Sequence, residues 1–220
     1  MKFVRATLFV ALTLGIPAAI YAQDQAPSEL PSASMMTEDS GKSDSWTYRN
    51  PDVALSKYQK FLIAPTVVYS DPTAEWGSAS PADRLKYAAY MTTSLRNAIA
   101  QGYQVVDKPG PGVATLRMTL LGVQQTVPLV ATVSRFTPMG FALNGIQSLR
   151  GKKGSLTGSV QAALEVNDSQ SGELVFAAVR KRSPVALDIE STLSTEKTVE
   201  AVADEFADSI RKGLDKANGR

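Results

Sequence analysis

No cysteine and no histidine occur anywhere in the chain. Without thiols there is no disulfide and no thiolate metal site. Without imidazoles the serine–histidine triad, the cysteine–histidine pair and the ordinary zinc and copper sites fall away together. An excess of charge is missing too. The chain carries 23 basic and 21 acidic residues, and removal of residues 1–22 would take away Lys2 and Arg5 and no acid, which leaves the two signs equal. A nucleic-acid binder keeps a positive surplus to displace phosphate counterions, so no nucleic-acid partner is expected. Long apolar runs are scarce: the longest uncharged stretch after the first 22 residues, Met118 to Ser134, holds Gln124, Gln125 and Pro128 in its middle. A membrane-spanning helix needs about 20 apolar residues, so no transmembrane segment is expected once a leader is removed, and only peripheral membrane contact stays open.

The chain opens MKFVRATLFVALTLGIPAAIYAQDQ. Two cations precede an apolar run, Gly15 and Pro17 break it, and Ala22 stands before Gln23, the pattern of a secretory signal peptide with cleavage after Ala22. Residues 23–45 are rich in Pro, Ser, Asp and Glu, with few large apolar groups to offset ordering entropy, which predicts a flexible leader. Residues 46–218 are the right length for one domain.

Within that domain, Lys60 to Tyr69 reads as a buried strand, with Pro65 demanding an edge or a bulge. Ser80, Pro81 and Asp83 start a helix, with Leu85, Ala88, Met91, Leu95 and Ile99 as its apolar stripe and Gly102 as a left-handed cap. The segment YQVV reads as a short strand and KPGPG as a turn. Val113 to Gln125 and Ser155 to Asn167 read as longer strands, the second alternating as a sheet with one face covered. Glu173 to Arg182 returns as its partner, and Ser194 caps a helix with Val199, Val202, Phe206, Ile210 and Leu214 on one stripe. The expected architecture is α/β (α+β): a two-layer sandwich of four to five mostly antiparallel strands, with two amphipathic helices on one face.

Several clusters invite a chemical reading. Asn167, Ser169, Ser171 and Gly172 fall at positions 1, 3, 5 and 6 of a calcium loop, but position 12 is Ala178 instead of a bidentate glutamate. A hairpin turn accounts for the same residues. Ser194 and Lys197 match the S-x-x-K arrangement of a serine nucleophile beside a lysine base, without its companion motifs; a helix cap explains Ser194 equally. GIQSLRGKKG fails as a phosphate loop, because five residues separate Gly145 from Gly151 and Lys153 replaces the hydroxyl residue.

Two basic groups, Arg150, Lys152, Lys153 and Arg180, Lys181, Arg182, flank neighbouring strands and could grip an anionic surface; solvated charges at sheet ends explain them as well. Between two strands, TVPLVATVSRFTPMGFALNGIQSL is long, apolar and nearly uncharged. It either covers the open sheet face as extra core or presents Phe136, Met139, Phe141 and Leu143 as a patch for a partner protein or membrane surface.

Three blocks, YRNPDVALSKYQKFLIAPTVVY, PGPGVATLRMTLLGV and GSVQAALEVNDSQSGELVFAAVRKR, resemble those of domain-of-unknown-function family 3313, short proteins of the bacterial envelope. The resemblance covers most of Trp46 to Asn218 and implies a small α/β module of the kind found in envelope accessory proteins. Members are usually lipoproteins with a cysteine at the cleavage site; this chain departs from that, having Gln23 after Ala22. The resemblance carries over no catalytic residue, and no cofactor is expected.

These observations favour a periplasmic, non-enzymatic protein that binds an envelope partner or a second copy of itself. Two rivals stand beside it: a hydrolase using Ser194 with Lys197 or a carboxylate pair, and a binder of anionic glycan or lipid. An enzyme predicts a concave pocket with pKa-shifted groups, whereas a binding module predicts a smooth sheet face and a loop-built patch.

Overall fold

The computed structural model describes residues 26–42, 44–124, 158–184 and 194–220. Among the described residues a single mixed sheet carries eight strands: β1 Thr37–Glu38, β2 Trp46–Arg49, β3 Lys60–Ile63, β4 Val67–Val68, β5 Gln104–Val106, β6 Val113–Gln124, β7 Ser159–Asp168 and β8 Leu174–Arg182. Their order is β1-β2-β8-β7-β6-β3-β5, with β4 also on β6. Among the described residues two α-helices, α1 Pro81–Ala100 and α2 Thr195–Ala217, pack on the sheet.

The mixed α and β class is as expected, but the sheet holds eight strands, not four or five. The additions are short: β1 has two residues, β2 has four, and β4, also of two, splits from β3 within the segment that reads as one strand, lengths at which alternation leaves little readable period. Four pairings are antiparallel, whereas β3 runs parallel to β5 and β6, and β4 parallel to β6. The parallel β3–β5 pair follows from α1 between them, since parallel neighbours need a long crossover.

Pro65 interrupts what would otherwise be one strand. Ile63 opposes Leu116 and Val67 opposes Thr119, so the β3–β4 side holds one residue more than β6 over the same length. That is the bulge which the missing proline N–H requires.

Both helices cover one face. Phe61, Met91, Leu95, Leu116, Met118, Val160, Val199 and Val202 form its closed apolar layer. Ser80 caps α1 reciprocally: its hydroxyl accepts the Asp83 N–H at 3.2 Å, and the Asp83 carboxylate accepts the Ser80 N–H at 2.9 Å. Leu85 does not join the buried stripe and is 66% exposed, while Tyr87 is buried; at 3.6 residues per turn Leu85 stands about 120° round the helix from Met91. Gly102 does not take the expected left-handed conformation, because the turn closes in the right-handed region at Gln101. The helices are clamped by Asp204 of α2, whose carboxylate accepts Ser94 Oγ at 2.6 Å and Tyr90 OH at 3.2 Å. Among the described residues no helix is long and apolar enough to cross a membrane.

Candidate functional site

Among the described residues no α-helix covers the second face of the sheet, and the chain lays its own N-terminal segment over it. Composition predicts a flexible leader over 23–45, yet from Ala26 onward this stretch lies on the sheet. Ala26 and Leu30 are buried against Leu121, Ala163, Val179 and Trp46, and Thr37–Glu38 adds β1 to the edge. A few small apolar contacts suffice here because the sheet already supplies the opposing surface. The legible signal was sparse: Leu30 stands alone among polar neighbours, with Met35 and Met36 beyond.

Beneath this strap sits a buried acid. Glu165 projects from β7 with 4% exposure, and its carboxylate accepts the Ser32 N–H at 3.1 Å. Strand alternation dictates the placement: Val160, Ala162, Leu164 and Val166 face the helices, so Gln161, Ala163, Glu165 and Asn167 face the strap. Ser32 is itself only 1% exposed, and among the described residues its hydroxyl has no partner.

The strap divides this face into two depressions, so it is not the smooth surface expected of a plain binding sheet. The larger, about 680 Å³, lies where β6 ends and β7 begins, between Asp44, Trp46, Glu75, Gln124, Gln161 and Lys181. Gln124 links its walls, donating to Glu75 at 2.7 Å and accepting from Ser159 at 2.8 Å. Gly122 permits the close approach of the neighbouring loop: a Cβ there would lie 2.8 Å from the Glu75 carbonyl oxygen. The smaller depression, about 490 Å³, lies between Pro31, Thr115, Arg117, Glu165 and Asn167. These groups can exchange hydrogen bonds with a polar surface.

The stretch Asn167 to Glu173 forms the β7–β8 hairpin turn. Gly172 takes φ +74°. Asp168 accepts the N–H groups of Gln170 and Ser171, each at 3.0 Å, while Ser171 Oγ accepts the Glu173 N–H at 3.2 Å. The two backbone donors, with the Tyr58 hydroxyl at 2.9 Å, hold the Asp168 carboxyl down at about 2. Burial, followed by the hydrogen bond to Asp168, pushes Tyr58 up to about 12. The shifted pair thus has a local explanation in the turn.

Ser194 is exposed at the start of α2, and its hydroxyl accepts the Lys197 N–H at 3.2 Å. The Lys197 ammonium pairs with Glu200 at 3.0 Å. The basic trio on β8 splits between faces. Arg180 meets Asp39 at 2.9 Å, Arg182 meets Glu205 on the helix side, and Lys181 meets Asp44 at 3.6 Å on the strap side. Burial lowers the Arg180 pKa. Phe136, Met139, Phe141, Leu143, Arg150, Lys152 and Lys153 lie outside the described residues. Among the described residues no three acidic side chains converge as a metal site.

A family model described as protein of unknown function (DUF3313) matches residues 26–210, strap included. No curated protein matches the chain. Among solved structures, a PelC dodecamer from Paraburkholderia phytofirmans is 11% identical with a TM-score of 0.40, over 77% of this chain and 95% of that one. Lipoprotein GNA1162 from Neisseria meningitidis is 13% identical with a TM-score of 0.31, over 69% and 99%. A DUF4136 family protein from Bacteroides thetaiotaomicron is 14% identical with a TM-score of 0.34, over 76% and 95%. Nothing about activity follows from these likenesses.

Proposed function

We propose, for a chain that belongs to the DUF3313 family of proteins of unknown function, a role as an exported envelope module that binds a partner protein or a second copy of itself. Residues 1–22 serve as a signal peptide cleaved after Ala22, and residues 23–218 act as one periplasmic unit, the strap included. The observation that carries this reading is the strap-crossed face, where polar groups from β6, β7 and β8 line two depressions. The connection from Gln124 to Gly158 leaves and rejoins the sheet at the larger depression. Its apolar residues Phe136, Met139, Phe141 and Leu143 are proposed to extend the same contact surface.

The side chains support binding over hydrolysis. Ser194 accepts a hydrogen bond as a helix cap, and the Lys197 ammonium donates to the Glu200 carboxylate at 3.0 Å. The buried Glu165 is engaged by the strap.

Site-specific photocrosslinking tests the reading. A crosslinker at Gln161, in the larger depression, is expected to trap one protein, or a second copy, in periplasm, whereas a crosslinker at exposed Arg96 of α1 traps none. Equal trapping from both positions, or full-length chain retaining residues 1–22 in the cytosol, overturns it.

A further inference from the structure

On the helix side of the sheet a further concavity, about 200 Å³, runs between α2 and strands β7 and β8. Leu164 and Phe176 form its floor, and Phe206, Ile210 and Leu214 form its wall. The space exists because α2 turns Ser209 and Gly213 toward it, and nothing lies within 4 Å of a Cβ built at Gly213. Sites for drug-sized ligands run to roughly 300–1,000 Å³. This groove suits one slender chain.

Its rim is cationic. Arg49, Arg180 and Arg182 line it together with the apolar residues. Arg180 is matched by Asp39 and Arg182 by Glu205. Arg49 is exposed and makes no ion pair among the described residues; its guanidinium rests 5.4 Å from the centre of the Phe176 ring. Arg49 and Phe176 are direct cross-strand partners, so the unmatched charge stands beside the hydrocarbon floor. Three cations against two carboxylates leave the rim with a positive surplus.

The geometry points to a binding site for a single acyl chain with an anionic head, the chain lying along Phe176 and Leu214 and the head meeting Arg49. This ligand differs from an anion gripped at the surface, because most of its contact is apolar. The site lies on the face opposite the strap and does not depend on the protein-binding reading above. Burial of each methylene strengthens binding about fourfold until the groove is full.

Calorimetric titration of the full chain with decanoate tests the site, with decyltrimethylammonium as the cation of equal length. Decanoate is expected to saturate at one per chain and to bind at least about tenfold tighter than the cation. Gly213→Leu is expected to weaken decanoate binding by about tenfold or more. Its thermal midpoint should stay the same or rise, since the added side chain meets open space and glycine is the poorer helix former. Arg49→Glu, at an exposed position, abolishes the preference for the anion and remains decisive should the Gly213 variant fold poorly. Absence of saturable binding, equal affinity for both heads, or undiminished binding by a folded Gly213→Leu variant overturns the proposal. So does a dimer in sedimentation that Gly213→Leu dissociates, which would make a second copy the occupant.

Discussion

On the helix side of the sheet, Phe61, Leu95, Leu116 and Val202 lose almost all contact with water, and hydrogen bonds from Ser94 and Tyr90 to Asp204 lock α1 to α2 above them. On the strap side the cover is a dozen residues of mostly irregular chain, held by Ala26, Leu30 and a few hydrogen bonds: the Ser32 N–H to Glu165 at 3.1 Å, the Glu29 N–H to the Tyr69 hydroxyl at 3.4 Å and the Ser70 hydroxyl to the Glu29 carboxylate at 3.1 Å. Burial of a large apolar side chain stabilises by about 1.5–3 kcal/mol, and the helix side contains many such residues where the strap side contains few. One face therefore resists global unfolding. The other can open locally at a fraction of that free energy, as the proposed partner-binding surface would require.

The sharpest test of this contrast is Leu95→Ala. A cavity in the closed layer should cost about 3–4 kcal/mol, read as a lowered urea midpoint for the whole domain. Leu30→Ala should cost about 2 kcal/mol or less, because the strap can settle over the gap. Its larger signature is faster hydrogen exchange at the Ser32 amide, with core amides of β6 and β7 unchanged. If Leu30→Ala shifts the global midpoint as far as Leu95→Ala does, the two faces are not separate cooperative units.

Gly122→Ala probes the floor of the larger depression. The new methyl would press on the Glu75 carbonyl oxygen, and displacement of that loop should cost about 1–2 kcal/mol, seen as a loss of thermal stability. The smallest effect is that of acid. Asp168 is held at about 2 against an ordinary 3.8, so its contribution is fully present above pH ~4 and is lost as the pH falls from there through about 2. Tyr58→Phe removes one of the donors that hold the carboxylate down, so the acid transition of the hairpin should begin at higher pH. An NMR titration of Asp168 that is unmoved in this variant would show that the backbone donors alone set the shift.

Both helices and the three long strands were legible because each repeats its apolar period over two or more turns or several pleats. Val199, Val202, Phe206 and Leu214 read as one stripe in the sequence and bury as one. The Pro65 interruption was legible for a different reason, since proline cannot donate to a ladder. Strands of two to four residues hold little or no period, which hid β1 and β2 and merged β4 with β3, whereas β5 was legible as the short strand YQVV. Leu85 misled because its three-residue spacing from Ala88 ignores its angle to Met91. The strap was hidden by composition: a polar segment can still dock when the surface beneath it is already built. Glu165 looked like an ordinary outward residue of an alternating strand, and only the strap makes it a buried acid.

The hydrogen bond from Ser32 to Glu165 joins positions 133 residues apart in the chain. So wide a loop closes late, after β6 and β7 have paired to create the seat, because contacts of high sequence separation carry the greatest entropy of closure. The strap, near the start of the chain, is thus among the last segments to find its place. Until β6 and β7 have paired, it has no surface on which to dock.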